Sequence, residues 1–154
     1  MKNILLLFAI SMFVISCGGG DGKSAADRIK EQAQMEPADP YESWASNHGI
    51  GPIKAFELPA EIDQEMALKG QEIYDGKCTA CHKAEKRFIG PAPKGILERR
   101  TPAWVMNMIL NPEEMVQKDP MAKKLLMEYN GSPMANQSLT EEDARAVLEY
   151  FRTL

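Results

Sequence analysis

Cys78-Thr79-Ala80-Cys81-His82 places two thiols and an imidazole within a few residues of one another. Two thiols at this spacing can add to the two vinyl groups of a porphyrin, supply half of a tetrahedral zinc site, or cycle as a redox dithiol. The adjacent histidine favours the first. On a helical turn both sulfurs lie under one edge of the ring, and the next imidazole points at its metal. A dithiol oxidoreductase needs a surrounding βαβ pattern, which is absent. A structural zinc site needs a second pair of ligands, and the three cysteines and two histidines of the chain do not supply one. With this composition the pattern arises by chance on the order of one time in a thousand. The motif predicts one covalently attached haem c, with His82 on its iron.

The elements that must position this motif read as helices. Asp63 to Gly76 has Met66, Gly70, Ile73 and Tyr74 on or near one face and leads straight into Cys78. A loop follows, rich in Gly and Pro (Gly90-Pro91-Ala92-Pro93, Gly95). Thr101-Pro102, Asn111-Pro112 and Asp119-Pro120 then each set a capping side chain before a proline at the first helical position, where no backbone donor is wasted. These helices should run to about Leu110, Gln117 and Tyr129, the last stopped by Asn130-Gly131. A final helix starts at Thr140, with Asp143 placed to complete the cap. No segment reads as a strand and no internal repeat is visible. The expected fold class is all-α, in one domain over residues 53–154.

The start of the chain carries different signals. Lys2 followed by the apolar run Ile4 to Ile15 has the form of an export signal. The run is too short to span a bilayer, which takes about 20 apolar residues. Val14-Ile15-Ser16-Cys17 resembles the lipobox of bacterial lipoproteins. That resemblance implies removal of residues 1–16 and diacylation of Cys17, leaving a membrane-anchored lipoprotein facing the periplasm or cell exterior. It also accounts for the odd cysteine, since Cys17 takes lipid while Cys78 and Cys81 take haem. Residues 17–52 are small, charged and poor in apolar side chains, with a weak helical stretch around Ala25 to Met35, and read as a flexible tether. Near its end lies His48, either a solvent-exposed loop histidine or a second metal or haem contact.

From Asp63 to Leu154 the chain resembles a small class I monohaem cytochrome c. Gly70 and Tyr74 match the Gly and aromatic that this family carries in the helix before its motif, and Val147 and Tyr150 match the pair on the crossing C-terminal helix. Gly90-Pro91 fits the family's Gly-Pro-x-Leu loop, with Pro93 where that pattern has Leu. The resemblance implies that the Pro91 carbonyl accepts a hydrogen bond from His82, orienting it and increasing its basicity. It also implies a sixth iron ligand on the loop before the last helix, which selects Met134. Met121, at a helix start, is the rival, and an open or His48-ligated site the remaining alternative. Met106, Met108, Met115 and Met127 fall inside predicted helices and read as adaptable filling around the porphyrin. Trp104 reads either as lying near the porphyrin with its N–H on a propionate, as in some relatives, or as a core indole bonded to backbone.

His/Met ligation leaves no position for substrate and suits outer-sphere electron transfer. The implied role is a monomeric electron carrier between a respiratory donor complex and a terminal reductase or oxidase. A peroxidase-like haem enzyme with an exchangeable sixth ligand is the alternative. Trp104 to Leu154 also resembles lipoprotein cytochromes that accompany nitrous oxide reductases.

A net charge of -4 and a pI near 5.3 argue against nucleic acid as a partner. Residues 77–100 reverse that sign. Lys77, Lys83, Lys86, Arg87, Lys94, Arg99 and Arg100 stand against Glu85 and Glu98, a local +5 that leaves -9 on the remainder. Such a collar either orients the molecule toward an acidic partner or is merely solvated.

Overall fold

The computed structural model describes residues 24–27 and 39–154. The chain divides into two units, Met1–Pro37 and Ala38–Leu154. In the first, Ala25–Asp27 form a helical turn whose start is tied by Ser24 Oγ, which accepts from the Asp27 N–H at 3.1 Å. The expected signal peptide and Cys17 lie outside the described residues.

The second unit is all-α, with no strand among the described residues. Its helices are α1 (Gln64–Lys77), α2 (Pro102–Leu110), α3 (Pro112–Lys118), α4 (Pro120–Glu128) and α5 (Glu141–Phe151), with short 3-10 turns at Trp44–Ser46 and Ile96–Glu98. Side-chain caps set most of the helix starts. Asp63 accepts from the Met66 N–H, Thr101 from Trp104 and Asp119 from Ala122, while Thr140 and Asp143 form a reciprocal capping box. Asn111 departs from the expected pattern. It makes no cap bond, and its amide instead donates to Glu114 Oε2 at 2.6 Å. After α4, Asn130 and Gly131 take positive φ, and the Gly131 N–H bonds to the Leu126 carbonyl at 2.9 Å, which ends the helix.

Helix α1 crosses α5 at Gly70. A Cβ there would stand 1.9 Å from the Ala146 carbonyl oxygen, so only glycine lets the backbones meet. Next to the crossing, the Tyr74 ring lies 5.4 Å from that of Tyr150 and 5.8 Å from that of Phe151. The crossing carries one end of α1, and so the Cys78 motif, onto the C-terminal helix. At the other end, Glu149 of α5 is fully buried and accepts from the Asp63 backbone N–H at 2.8 Å. Arg145 and Arg152 both pair with it. Arg152 also donates to the carbonyls of Pro59, Ala60 and Glu61, which pins the chain entering α1.

The expected boundary at residue 53 is too late. Residues 39–52 belong to the folded unit, held by polar bonds that no hydrophobic period announces. Asn107, fully buried on α2, donates both amide hydrogens, to the carbonyls of His48 and Ile53, and its oxygen accepts from the Ile53 N–H. Thr101 Oγ1 donates to the Asn47 carbonyl at 2.6 Å, and Asn47 Nδ2 reaches Asp119 Oδ2 at 2.7 Å. Gly49, at φ 74°, runs against Met115 and Trp104. This strap therefore lies directly over α2 and the start of α4.

Candidate functional site

A cavity opens among the helices, with about 1320 Å³ of empty space including the open solvent at its mouth. Cys78, Cys81, His82 and Met134 all line it. Most of its remaining wall is apolar, including Val105, Ile109, Leu125, Leu126, Val147 and Phe151.

Cys78 caps α1 and is half-buried, whereas Cys81 is exposed at the rim. Burial pushes the Cys78 thiol up from its ordinary value, with Lys77 opposing and Cys81 adding to the rise. The Cys81 and His82 N–H groups both bond back to the Cys78 carbonyl, a tight turn that holds the thiols and the imidazole together. Nδ1 of His82 lies 2.8 Å from the Pro91 carbonyl. A carbonyl can only accept, so Nδ1 carries the proton and Nε2 keeps its lone pair for a metal. The loop comes this close because residue 90 is glycine; a Cβ there would lie 2.4 Å from His82 Cε1. Among the described residues no group of three His, Cys, Asp or Glu side chains could hold a metal ion, so zinc has no completed site there. An apolar cavity with two thiols and an imidazole at its mouth fits haem c.

The other expected residues separate clearly. Met134 is half-buried and faces the cavity from the loop before α5. Met121 is fully buried in the core and does not line the cavity. Met106 and Met115 are core residues, while Met108 lines the cavity. Met127 contradicts its reading as filling, since it is 74% exposed at the end of α4. His48 is exposed and away from the cavity wall. Trp104 does line the cavity, but neither expected partner holds its N–H. Nε1 donates to the buried Asp119 carboxylate at 3.1 Å, so its cavity contact is the ring.

The basic collar also needs correcting. Arg100 is 6% exposed, Arg99 is spent on the carbonyls of Ala92, Lys94 and Gly95, and Lys94 pairs with Glu85 at 2.6 Å. What remains is Lys77, Lys83, Lys86 and Arg87, of which Lys83 donates to the Thr79 carbonyl at 2.9 Å and Arg87 to that of Glu128, with Phe88 and Ile89 each 48% exposed beside them. Sequence reasoning missed Val116, Leu125, Leu126 and Tyr129 as cavity walls. Leu125 and Tyr129 sit four residues apart, the helical spacing that could have revealed them.

The cytochrome c family model matches residues 67–154. The chain belongs to the cytochrome c family. Cytochrome c from Rhodothermus marinus is 43% identical, with a TM-score of 0.65 over 75% of this chain and 96% of that one. An engineered form of that protein, bound to a carbene intermediate (1-ethoxy-1-oxopropan-2-ylidene), gives 43% identity and a TM-score of 0.63 over the same shares of the two chains. The cytochrome c domain of the pp3183 protein from Pseudomonas putida is 28% identical, with a TM-score of 0.51 over 55% of this chain and 85% of that domain's. No curated protein matches the chain. As a cytochrome c, the chain carries a covalently attached haem c and is a haem-based electron-transfer protein with redox protein partners.

Proposed function

We propose that this cytochrome c is a lipid-anchored one-electron shuttle, with its haem iron held between His82 and Met134. The observation that carries the reading is that Met134 and His82 line one apolar cavity while Met121 is sealed in the core. Bound there, the haem supplies a one-electron iron couple. The protein's contribution is to fix the imidazole through Pro91, offer a thioether from the Met134 loop, and exclude water with the apolar wall.

Anchoring through Cys17 places the cytochrome on a membrane facing the periplasm or cell exterior, between a respiratory donor complex and a terminal reductase or oxidase. The resemblance over Trp104 to Leu154 makes nitrous oxide reductase one candidate acceptor, and a terminal oxidase is the other. Among the described residues no helix is long and apolar enough to cross a membrane. Cys17→Ser should release the cytochrome from isolated membranes with its absorbance spectrum unchanged. Continued sedimentation with the membranes would rule the anchor out.

Docking is assigned to Lys77, Lys83, Lys86 and Arg87 around the exposed Phe88 and Ile89. Lys83 Nζ lies 5.1 Å from the Phe88 ring centre, and the Arg87 guanidinium lies 4.1 Å from that of Tyr129, so basic and apolar groups share this surface. It suits a partner with an apolar centre and an acidic rim. Stopped-flow electron transfer to the native acceptor tests the shuttle reading. The rate should fall as salt rises and the Debye length shrinks to ~8 Å. Replacing Lys83, Lys86 and Arg87 by Glu should slow it and flatten the salt dependence. A rate indifferent to both changes would show that these charges take no part in docking.

A further inference from the structure

Asn47, on the strap, is gripped by the starts of two helices at once. Thr101, which caps α2, donates its hydroxyl to the Asn47 carbonyl at 2.6 Å and accepts from the Trp104 backbone N–H. Asp119, which caps α4, accepts from the Asn47 side-chain amide at 2.7 Å through Oδ2. Its Oδ1 accepts from the Ala122 N–H at 2.7 Å and from the indole Nε1 of Trp104 at 3.1 Å. Capping accounts for only one of these three bonds. The other two join the strap to a ring of the haem cavity. Trp104 and Ala122 both line that cavity, so the carboxylate sits directly behind two of its wall residues. Asp119 and Trp104 are each 2% exposed and Ala122 is fully buried, which leaves little water to screen a charge there. Among the described residues Asp119 forms no ion pair. Arg100, over the face of the same indole at 5.1 Å, is influenced by Asp119 less than by Tyr41, Arg99 or Glu128.

A buried carboxylate without a cation is costly and persists only when its oxygens are well hydrogen-bonded. Here that bonding orients an indole on the cavity wall and closes the strap over it. A negative charge beside a haem stabilises ferric over ferrous iron, since the ferric state carries one more positive charge. We propose that Asp119 is a potential-setting residue of the haem site: its buried carboxylate, held behind the Trp104 ring and closed over by the strap at Asn47, lowers the midpoint potential. The strap lies outside the matched family region of 67–154, so residues upstream of that region take part in setting the couple. This role presupposes haem in the main cavity and holds whichever group is the sixth ligand.

Asp119→Asn removes the charge and keeps the shape. Its remaining oxygen can still cap α4 and accept from Trp104, because Asn caps helices about as well as Asp. Its new amide faces that of Asn47, which cannot turn over without giving up the Gly49 N–H that Asn47 Oδ1 accepts at 2.7 Å. In the holoprotein, Asp119→Asn should therefore raise the midpoint potential and lower the denaturant midpoint of unfolding. Adding Asn47→Asp puts a carboxylate where the amide was and remakes the bond with its donor reversed. The double variant should recover the wild-type unfolding midpoint yet keep most of the rise in potential, because its charge now sits on the strap, one side chain farther from the indole. It also covers the case in which Asp119→Asn alone fails to fold. Glu113→Gln, which removes an exposed charge from α3, should move neither quantity. A wild-type potential in folded Asp119→Asn would overturn the assignment. So would a double variant whose potential returns to wild type together with its stability, since Asp119 would then be a clasp for the strap and nothing more. A double variant that stays as unstable as Asp119→Asn would overturn the part given to the strap. Failure of the haem-site reading itself would appear separately, as absence of thioether-linked haem from the wild-type protein.

Discussion

Met134→Ala is expected to abolish the sulfur-to-iron absorption band of the oxidised cytochrome, lower its potential and open its reduced form to carbon monoxide. A thioether stabilises ferrous over ferric iron, so its loss moves the couple downward. Axial ligands span about 0.8 V among haem proteins, and a fall on the order of 0.1 V or more is expected here. Met121→Ala is the control. Met121 is fully buried in the first turn of α4, so its truncation should cost about 2–5 kcal/mol of stability and leave the band in place. Met108→Ala is the sharper control, because Met108 lines the same cavity as Met134 and removes the same atoms. Visible spectroscopy and redox titration of the three variants decide the matter. Loss of the band in the Met108 or Met121 variant, with the band retained in Met134→Ala, would move the ligand to that residue.

The second large effect is on the fold. Glu149→Ala should destabilise the protein by about 3–5 kcal/mol, the range for breaking a buried ion pair from one side. Glu149 has no exposed side-chain surface, and its partners Arg145 and Arg152 are 14% and 11% exposed in their side chains. Truncation leaves both cations without their carboxylate and the Asp63 N–H without its acceptor, which loosens the start of α1. Against a total stability of about 5–15 kcal/mol, this is a large share. Glu149→Gln keeps the shape and one acceptor oxygen, and should lose less. Denaturant unfolding of the holoprotein measures both. A change within about 0.5 kcal/mol for Glu149→Ala would place the group among ordinary surface residues.

Much of this arrangement could be read from local patterns. The five-residue motif, the proline-led helix starts and the Thr140–Asp143 cap each use residues a few positions apart, and the helices lie where these signals put them. Gly70 was legible through its resemblance, and the carbonyl of Ala146 in its place gives the physical reason. What the sequence hid depends on distant partners. The strap over residues 39–52 looks like a polar linker because its anchors are backbone groups bonded to Asn107 and Thr101, more than fifty positions away. Trp104 finds Asp119 only because α3 turns back on α2. Arg100 looks like one more member of a basic run, and its burial follows from the packing of Tyr41, a contact no periodicity contains.

The measurement that bears most directly on the shuttle reading is the spectrum of the wild-type holoprotein, oxidised and then reduced under carbon monoxide. A closed electron-transfer site predicts a six-coordinate, low-spin haem with the sulfur-to-iron band when oxidised, and no carbon monoxide adduct when reduced. A high-spin haem without that band, taking up carbon monoxide readily, would contradict the account and point instead to an enzyme with an exchangeable sixth position.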